Sequence, residues 1–512
     1  MPSASNLSAA LRLVGAGAVA LALTAVVCGP GGPAGPAVPG QRRQSLAILL
    51  AEAQRPVVLP PRTGGLTPDQ VVLLRQVASR TWEFLSGPDL DPTTHLPRPS
   101  VPEHGPAAAL PQPPRCAQDY TNPSLIGTYL TSIVAARDLG LASAGQAEAD
   151  AAAVLGEIRR LPQNGGFLVN PCGTGGSAAA ADQRAVTPAG YVSTVDNGWL
   201  AQGLLVARDA FPQLAPRFTA LLNGMQWQLL YDRARDVLYN GYQVDGRHSP
   251  YTYDNAYSGP RIAEYMAIGS GKVPGALWWG PHRTPPADHN QRQVPQGRWV
   301  TYTDPQNHQP YRVFEGHYSY DGITFVPTFD GSLYQALAPD LVFPEQSLAP
   351  TSLGPNDRNT ALAQAAYGLS THAPAWGWAP ATFPGPRPRY RNYGVPDLAI
   401  DQGTVAHAVV TPYAAFLALP VIPEQAYGDI AELIGNYPSL YTRYGFLDSV
   451  DIRNGQVATR YMASSQMTVL MSIDDAVDHG RLQTYVDGSS YQRALAPYMG
   501  MESYSITAAD QN

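Results

Sequence analysis

Between residues 67 and 479 the chain is a succession of helix-length segments whose apolar residues recur every three to four positions, with no regular alternation of strand and helix. This pattern constrains the fold more than any other feature, because a segment with an apolar stripe must bury it against a neighbour. Roughly eleven such segments are legible: 67–85, 123–140, 145–161, 192–210, 214–231, 253–270, 331–341, 356–370, 405–418, 423–436 and 461–479. Thr67-Pro68 and Asn122-Pro123 each set a capping side chain before a proline at the first helical position. The series predicts an all-α domain, a toroid of paired helices rather than a doubly wound sheet. Two long breaks, 278–320 and 376–394, are rich in proline and aromatic residues. Breaks beyond ~12–15 residues inside a compact domain are usually functional or disordered. Tyr302, Tyr311, Phe314, Tyr318 and Tyr320 make the first too aromatic for disorder. It is expected to fold over one rim, with 299–302 pairing against 311–314 in a hairpin.

Arg12 precedes an apolar run, 13–27, that has signal-peptide length and is short for a membrane span. The sequence thus predicts a signal peptide over 1–28, a Pro/Gly/Ala-rich lead-in over 29–64, a folded domain over 65–490 and a tail over 491–512. Export places the mature chain outside the cell or in the envelope, with no membrane span after cleavage. An uncleaved anchor is the competing reading. Cys28 ends the apolar run where a lipoprotein would be acylated, but Val27 stands where a small residue is expected, so acylation is the less favoured form. Removing the signal leaves Cys116 and Cys172, both in polar loops flanked by proline or glycine. In an exported chain such a pair is expected to form a disulfide; two separate thiols are the alternative.

Charged residues are 14% of the chain and the net charge is -7, which argues against nucleic acid, whose phosphates require a basic surface. A neutral oligo- or polysaccharide suits the balance, and 28 Tyr and 8 Trp supply faces on which sugars stack. No Cys/His spacing resembles a zinc site and no glycine-rich nucleotide loop is present, so neither a metal nor a cofactor is expected. The chain is expected to act as a monomer.

Five motif groups occur in order. They are Asn122-Pro-Ser-Leu-Ile-Gly127 with Ala135-Ala-Arg-Asp-Leu-Gly140; Tyr191-Val-Ser-Thr-Val-Asp196-Asn-Gly198-Trp-Leu200; and Arg261-Ile-Ala-Glu-Tyr-Met-Ala-Ile-Gly269 leading to Trp278-Trp279. Phe314-Glu-Gly-His317-Tyr318 with Val326-Pro-Thr-Phe-Asp330-Gly-Ser332 is the fourth. The fifth runs from Trp376-Gly-Trp378 through Tyr393 and Tyr413 to Gly445-Phe-Leu-Asp448. Together they resemble the bacterial glucoamylase-like (glycoamylase) family, which is similar to β-1,2-glucanases and to the glucan-processing domain of cyclic β-1,2-glucan synthases. The resemblance covers about residues 119–486. It implies an (α/α)6 toroid with long aromatic loops at one rim, a cleft at one end, and action on a glucan.

Cleaving a glycosidic bond requires a proton donor and a second carboxylate across the bond. The acids in the motif loops are Asp196, Asp254, Glu315, Asp330, Asp448 and Asp451. Glu315 and Asp330 are the leading catalytic candidates, with Asp448 behind them. Phe314 and Tyr318 give Glu315 apolar company that raises a carboxyl pKa, although a structural carboxylate bound to loop amides fits equally. Asp196 and Asp330 also sit where helix caps are found. Asp196, Asp254, Arg261, His317, Tyr318, Trp376, Trp378, Tyr393, Tyr413 and Gln466 are the candidate substrate-binding residues; for the two tryptophans, core packing is the competing role. Relative to the family, Gly259, Gln335 and Ser465 stand where carboxylates are usual, and none of them exchanges a proton at neutral pH. Three readings result: an exported glycoside hydrolase of an extracellular or envelope glucan, with β-1,2-glucan favoured; a catalytically degenerate glycan-binding protein of the same fold; and a structural envelope protein.

Overall fold

A computed structural model describes residues 65–103, 121–170, 190–287, 289–385 and 389–506. The expected signal peptide and lead-in, Cys28, and the Cys116–Cys172 pair lie outside the described residues. In chain order the helices are α1 (Pro68–Leu85), α2 (Pro123–Asp138), α3 (Ala144–Ile158), α4 (Thr194–Ala210), α5 (Ala215–Gly224) and α6 (Arg261–Gly269). An antiparallel sheet follows, β1 (Gln296–Thr303), β2 (Pro310–Tyr320) and β3 (Ile323–Phe325), with β2 in the middle. The chain then continues through α7 (Leu333–Leu337), α8 (Glu345–Leu348), α9 (Leu353–Ser370), α10 (Pro412–Ala418), α11 (Pro423–Asn436), α12 (Ala463–Val477) and α13 (Ser490–Met501).

Two sets of helices differ in how they are buried. α4 and α10 are covered on nearly every side, whereas α1 and α11 bury one face, as amphipathic helices on the outside of a core do. Packing runs from α2 to α4, α4 to α6, α7 to α10, α10 to α12, and from α12 back to α2. α6 meets α7 through Arg261, whose guanidinium donates to the carbonyls of Gln335 and Ala336 at 3.1 and 2.7 Å. Outside these lie α3 on α2, α5 on α4, α13 on α6, α9 on α7, α11 on α10 and α1 on α12. Glycine sets the tightest contact. A Cβ at Gly127 would stand 2.2 Å from the Trp199 carbonyl oxygen, and one at Gly203 2.0 Å from that of Gly127, so any side chain there would force α2 and α4 apart.

The protein is mostly helical, but it is not purely so. The hairpin expected over 299–314 forms with Trp299 opposite Phe314 and Tyr302 opposite Tyr311, and is longer than expected. Its sheet covers α9, where Asn356 exchanges bonds with the Val326 backbone and Asn359 donates to Thr324 O at 2.8 Å. That cover explains why α9 is buried on most of its circumference. The expected helix over 253–270 begins only at Arg261, because Thr252–Tyr253 pairs with Leu238 and Tyr239 in a ribbon. The expected tail is a correction to the domain boundary. Ser489 caps α13, Tyr491 packs on Gly269, and Glu502, Tyr504 and Ile506 are buried. Pro497 inside this helix breaks the pattern by which such a segment is recognised. No described helix is long and apolar enough to cross a membrane.

Candidate functional site

Asp330 ends the strand-like run from Phe325 and turns into α7 at Gly331, whose φ of 75° and near-contact with the Val395 carbonyl exclude a side chain. Ser332, not Asp330, caps the helix. Asp330 Oδ1 accepts the Ser332 N–H at 3.0 Å, while Oδ2 is buried with no hydrogen-bond partner. The residue is 4% exposed, and burial pushes its carboxyl up to about 6. Asp448 is also buried, and burial raises it, but donors hold both oxygens: Ser465 Oγ at 2.6 Å and the Thr382 N–H at 2.5 Å. Thr411 Oγ1, at the start of α10, donates to the Asp448 carbonyl at 2.6 Å.

Tyrosines connect the two acids. Tyr413 donates to Pro380 O at 2.8 Å and meets Tyr334 edge-on with ring centroids 6.1 Å apart. The phenols of Tyr390 and Tyr413 are pushed well up by burial, and the nearby carboxylates of Asp448 and Asp330 push both further. Tyr334 extends the group toward α4: it lies 6.1 Å from Trp199, and its phenol is raised by burial and by Asp196. Asp196 accepts from Asn170 Nδ2 at 2.7 Å, and Ser193 is the cap of α4. The starts of α4, α7 and α10 therefore bring Asp196, Asp330, Tyr334 and Tyr413 together, and Asp448 joins them from the loop after Phe446 through Thr411 and Ser465.

The three positions at which the family resemblance implies carboxylates, Gly259, Gln335 and Ser465, converge on this same place. Ser465 donates to Asp448. Gln335 Oε1 accepts the N–H groups of Phe329 and Asp330 at 3.1 and 3.4 Å. Gly259, at the start of α6, faces Gln335: the single heavy atom within 4 Å of a Cβ there is Gln335 Cγ, at 3.8 Å.

Several expected residues sit elsewhere. The pair anticipated from sequence, Glu315 with Asp330, is not assembled. Strand alternation on β2 turns Glu315 inward, toward Arg283, Tyr302 and Glu502; burial and then the Glu502 charge push its carboxyl up. Ser505 Oγ donates to the Glu315 carbonyl at 2.6 Å and lies 3.1 Å from His317 Nδ1, while Tyr318 donates to Gln291 Oε1 at 2.9 Å. Arg261 is 2% exposed, bonded through Nε and Nη2 to Glu345 at 2.8 Å each, so its guanidinium is spent inside the fold. Trp378 is buried, donates to His407 O at 2.8 Å and meets Tyr367 edge-on; the Trp376 N–H is tied to Asp429. Trp378 takes the packing role, and Trp376 is half-buried against the core. Gln466 donates to Phe446 O beneath α1, and Asp254 is an exposed partner of Arg235. Tyr393 is fully buried, with its hydroxyl unbonded near Asp448.

Sequence reasoning missed Tyr390, Tyr334, Glu264 and Glu502. Tyr390 lies in a Pro/Arg-rich stretch with no periodicity, and Glu264 reads as an ordinary helix residue. Glu264, Arg261, Arg283, Trp278 and Glu502 line a cavity of about 10 Å³, and burial pushes Glu264 up to about 8. Asp340, Glu345 and Asp357 present carboxylate oxygens within 4.8 Å of one another. Arg261, Tyr265, Tyr257 and Gln346 already donate to Glu345 and Asp357, so the cluster is held by protein donors.

Comparison with known proteins agrees with the fold. Residues 254–488 match the model of the Glycoamylase family, described as "Putative glucoamylase". Over 299 residues, 56% of the chain, the protein is 24% identical to the cyclic beta-(1,2)-glucan synthase NdvB of Rhizobium meliloti (strain 1021); the match spans 9% of that protein. The endo-beta-1,2-glucanase of Chitinophaga pinensis, solved with sophorotriose and glucose, superposes with a TM-score of 0.62 at 14% identity, covering 84% of this chain and 98% of that one. The beta-1,2-glucanase of Parabacteroides distasonis gives 0.62 at 15% identity, over 85% of this chain and 61% of that one. At these identities the structural likeness concerns the fold.

Proposed function

We propose that this protein is an exported glycoside hydrolase-like protein whose (α/α)6 toroid presents Asp330 and Asp448 to a β-glucan, with β-1,2 linkage preferred. One observation carries the reading: a buried carboxyl with a raised pKa and an unbonded oxygen lies in the same tyrosine cluster as a second, firmly held carboxylate. A carboxyl at about 6 keeps its proton into the mildly acidic range, as a donor to a leaving glycosidic oxygen must. Asp448, fixed by Ser465 and Thr382, is placed as the second carboxylate, acting on water or on the sugar. The alternation of inner and outer helices supports the toroid, and the glucan-acting proteins that share the fold support the substrate class.

A second reading has an observation of its own. Gly259 and Gln335, two of the replaced positions, face each other beside Asp330, so the losses are adjacent and act on one place. In that reading the cleft binds glucan and turns it over slowly or not at all. Incubating purified protein with β-1,2-, β-1,3- and β-1,4-glucans, and following both bound sugar and new reducing ends, separates the two. Reducing ends from β-1,2-glucan support hydrolysis; binding without them supports the second reading, and neither outcome with any glucan refutes both. Export is tested by N-terminal sequencing: intact Met1 on cytoplasmic protein would refute it.

A further inference from the structure

Tyr390 stands on a short ribbon, Ala381–Thr382 paired with Tyr390–Arg391, and is directly opposite Thr382. The Thr382 N–H is one of the two donors that fix Asp448, so the ribbon that carries Tyr390 is bolted to that acid. Burial and then the nearby charges of Asp448 and Asp330 push the Tyr390 phenol up. Yet 38% of the residue is exposed. An aromatic residue that stays partly in water on a ribbon tied to a buried candidate acid is not a core residue, and it stands where a ligand of that acid would meet it.

We propose that Tyr390 is a glucosyl-binding platform of this cleft, a specificity-determining residue that presents its ring face to the sugar unit lying over Asp330 and Asp448. The proposal rests on the glucan reading given above. A pyranose has an apolar C–H face and a hydroxyl rim. The partly exposed Tyr390 side chain suits the first. Of the two sequence-derived candidates for this role, Trp378 is buried in the core and Trp376 is half-buried against it. The ring does the binding, while the ribbon tied to Asp448 fixes its place.

The test is titration calorimetry of the full-length mature protein with β-1,2-glucooligosaccharides of two to seven units, comparing wild type with Tyr390→Ala, Tyr390→Phe and Trp299→Ala. Trp299 is 52% exposed on the outer sheet and is the control for loss of any surface aromatic. Tyr390→Ala is expected to weaken binding about tenfold or more, equal to ~1.4 kcal/mol, with the melting temperature little changed. Tyr390→Phe and Trp299→Ala are expected to stay within about threefold of wild type. Equal loss in Tyr390→Phe and Tyr390→Ala would assign the role to the hydroxyl and overturn the stacking proposal. Unchanged affinity in Tyr390→Ala would overturn it while leaving the glucan reading intact. Wild-type protein that binds none of the oligosaccharides would overturn both.

Discussion

Replacing Asp330 by Asn tests the acid assignment through two independent readouts. In the folded protein the carboxyl is pushed from 3.8 to about 6 by burial. A raised folded-state pKa means that stability is fully present below the unfolded value and is lost as pH rises through the folded one. Two pH units of displacement correspond to about 3 kcal/mol, absent near pH 4 and complete above about pH 7. Asn has no charge to bury, so the variant escapes this loss. It keeps the acceptor for the Ser332 N–H, but places an amide NH2 where Oδ2 has no partner, at a cost of about 1–3 kcal/mol. That cost is independent of pH. The diagnostic quantity is therefore the change in the variant-minus-wild-type difference between pH 4 and pH 7.5, expected to be about 3 kcal/mol in favour of the variant. Urea unfolding at four pH values measures it. On the same protein, glucan hydrolysis should fall by about 10²–10⁴, with oligosaccharide affinity retained. A stability difference that does not vary with pH would refute the raised carboxyl, and undiminished hydrolysis would refute its use as the acid.

Arg261→Met should destabilise by about 3–5 kcal/mol, because it leaves Glu345 charged and unpaired in the core; a large loss of sugar affinity with stability intact would return Arg261 to the binding site. Glu264, pushed up to about 8 by burial from 4.5, should make stability fall between roughly pH 4.5 and pH 8 by about 1.4 kcal/mol per pH unit. Thermal melts of Glu264→Gln across that range should show a shallower decline, and an unaltered slope would exclude the group. Gly259→Glu has room, since Gln335 Cγ alone lies within 4 Å of its Cβ. It should raise reducing-end release from β-1,2-glucan by tenfold or more if the missing carboxylate limits turnover, about 1.4 kcal/mol of barrier; no increase would place the limit elsewhere.

Much of the frame was already legible in the chain. Helical periodicity and the caps at Thr67 and Asn122 located α1 and α2 to within a few residues, because capping and amphipathicity are local. The Trp299–Phe314 hairpin was legible for the same reason, from aromatic residues alternating on two nearby segments. Asp330, Asp448 and Tyr413 were candidates from motifs, and the structure gathers them through the starts of α7 and α10 and the Thr411–Asp448 bond. What local pattern could not decide is which side of an element a residue faces once packing is complete. Arg261, Trp378 and Glu315 have the chemistry of a sugar site, yet Glu345 and His407 O claim the first two, and strand alternation buries the third toward the Arg283–Glu502 pair with neither carboxylate oxygen bonded. Glu345 lies 84 residues from Arg261 and His407 lies 29 from Trp378, while Arg283 and Glu502 are 219 apart. Tyr390 is the converse case: nothing around it in sequence marks it, and it becomes a site residue through Thr382 and Asp448. The sequence by itself determined a helical body and the acids at its helix starts. Only the tertiary structure decided which of those side chains are spent on buried partners and which are left open, because a buried charge must be paired and its partner is chosen by the fold.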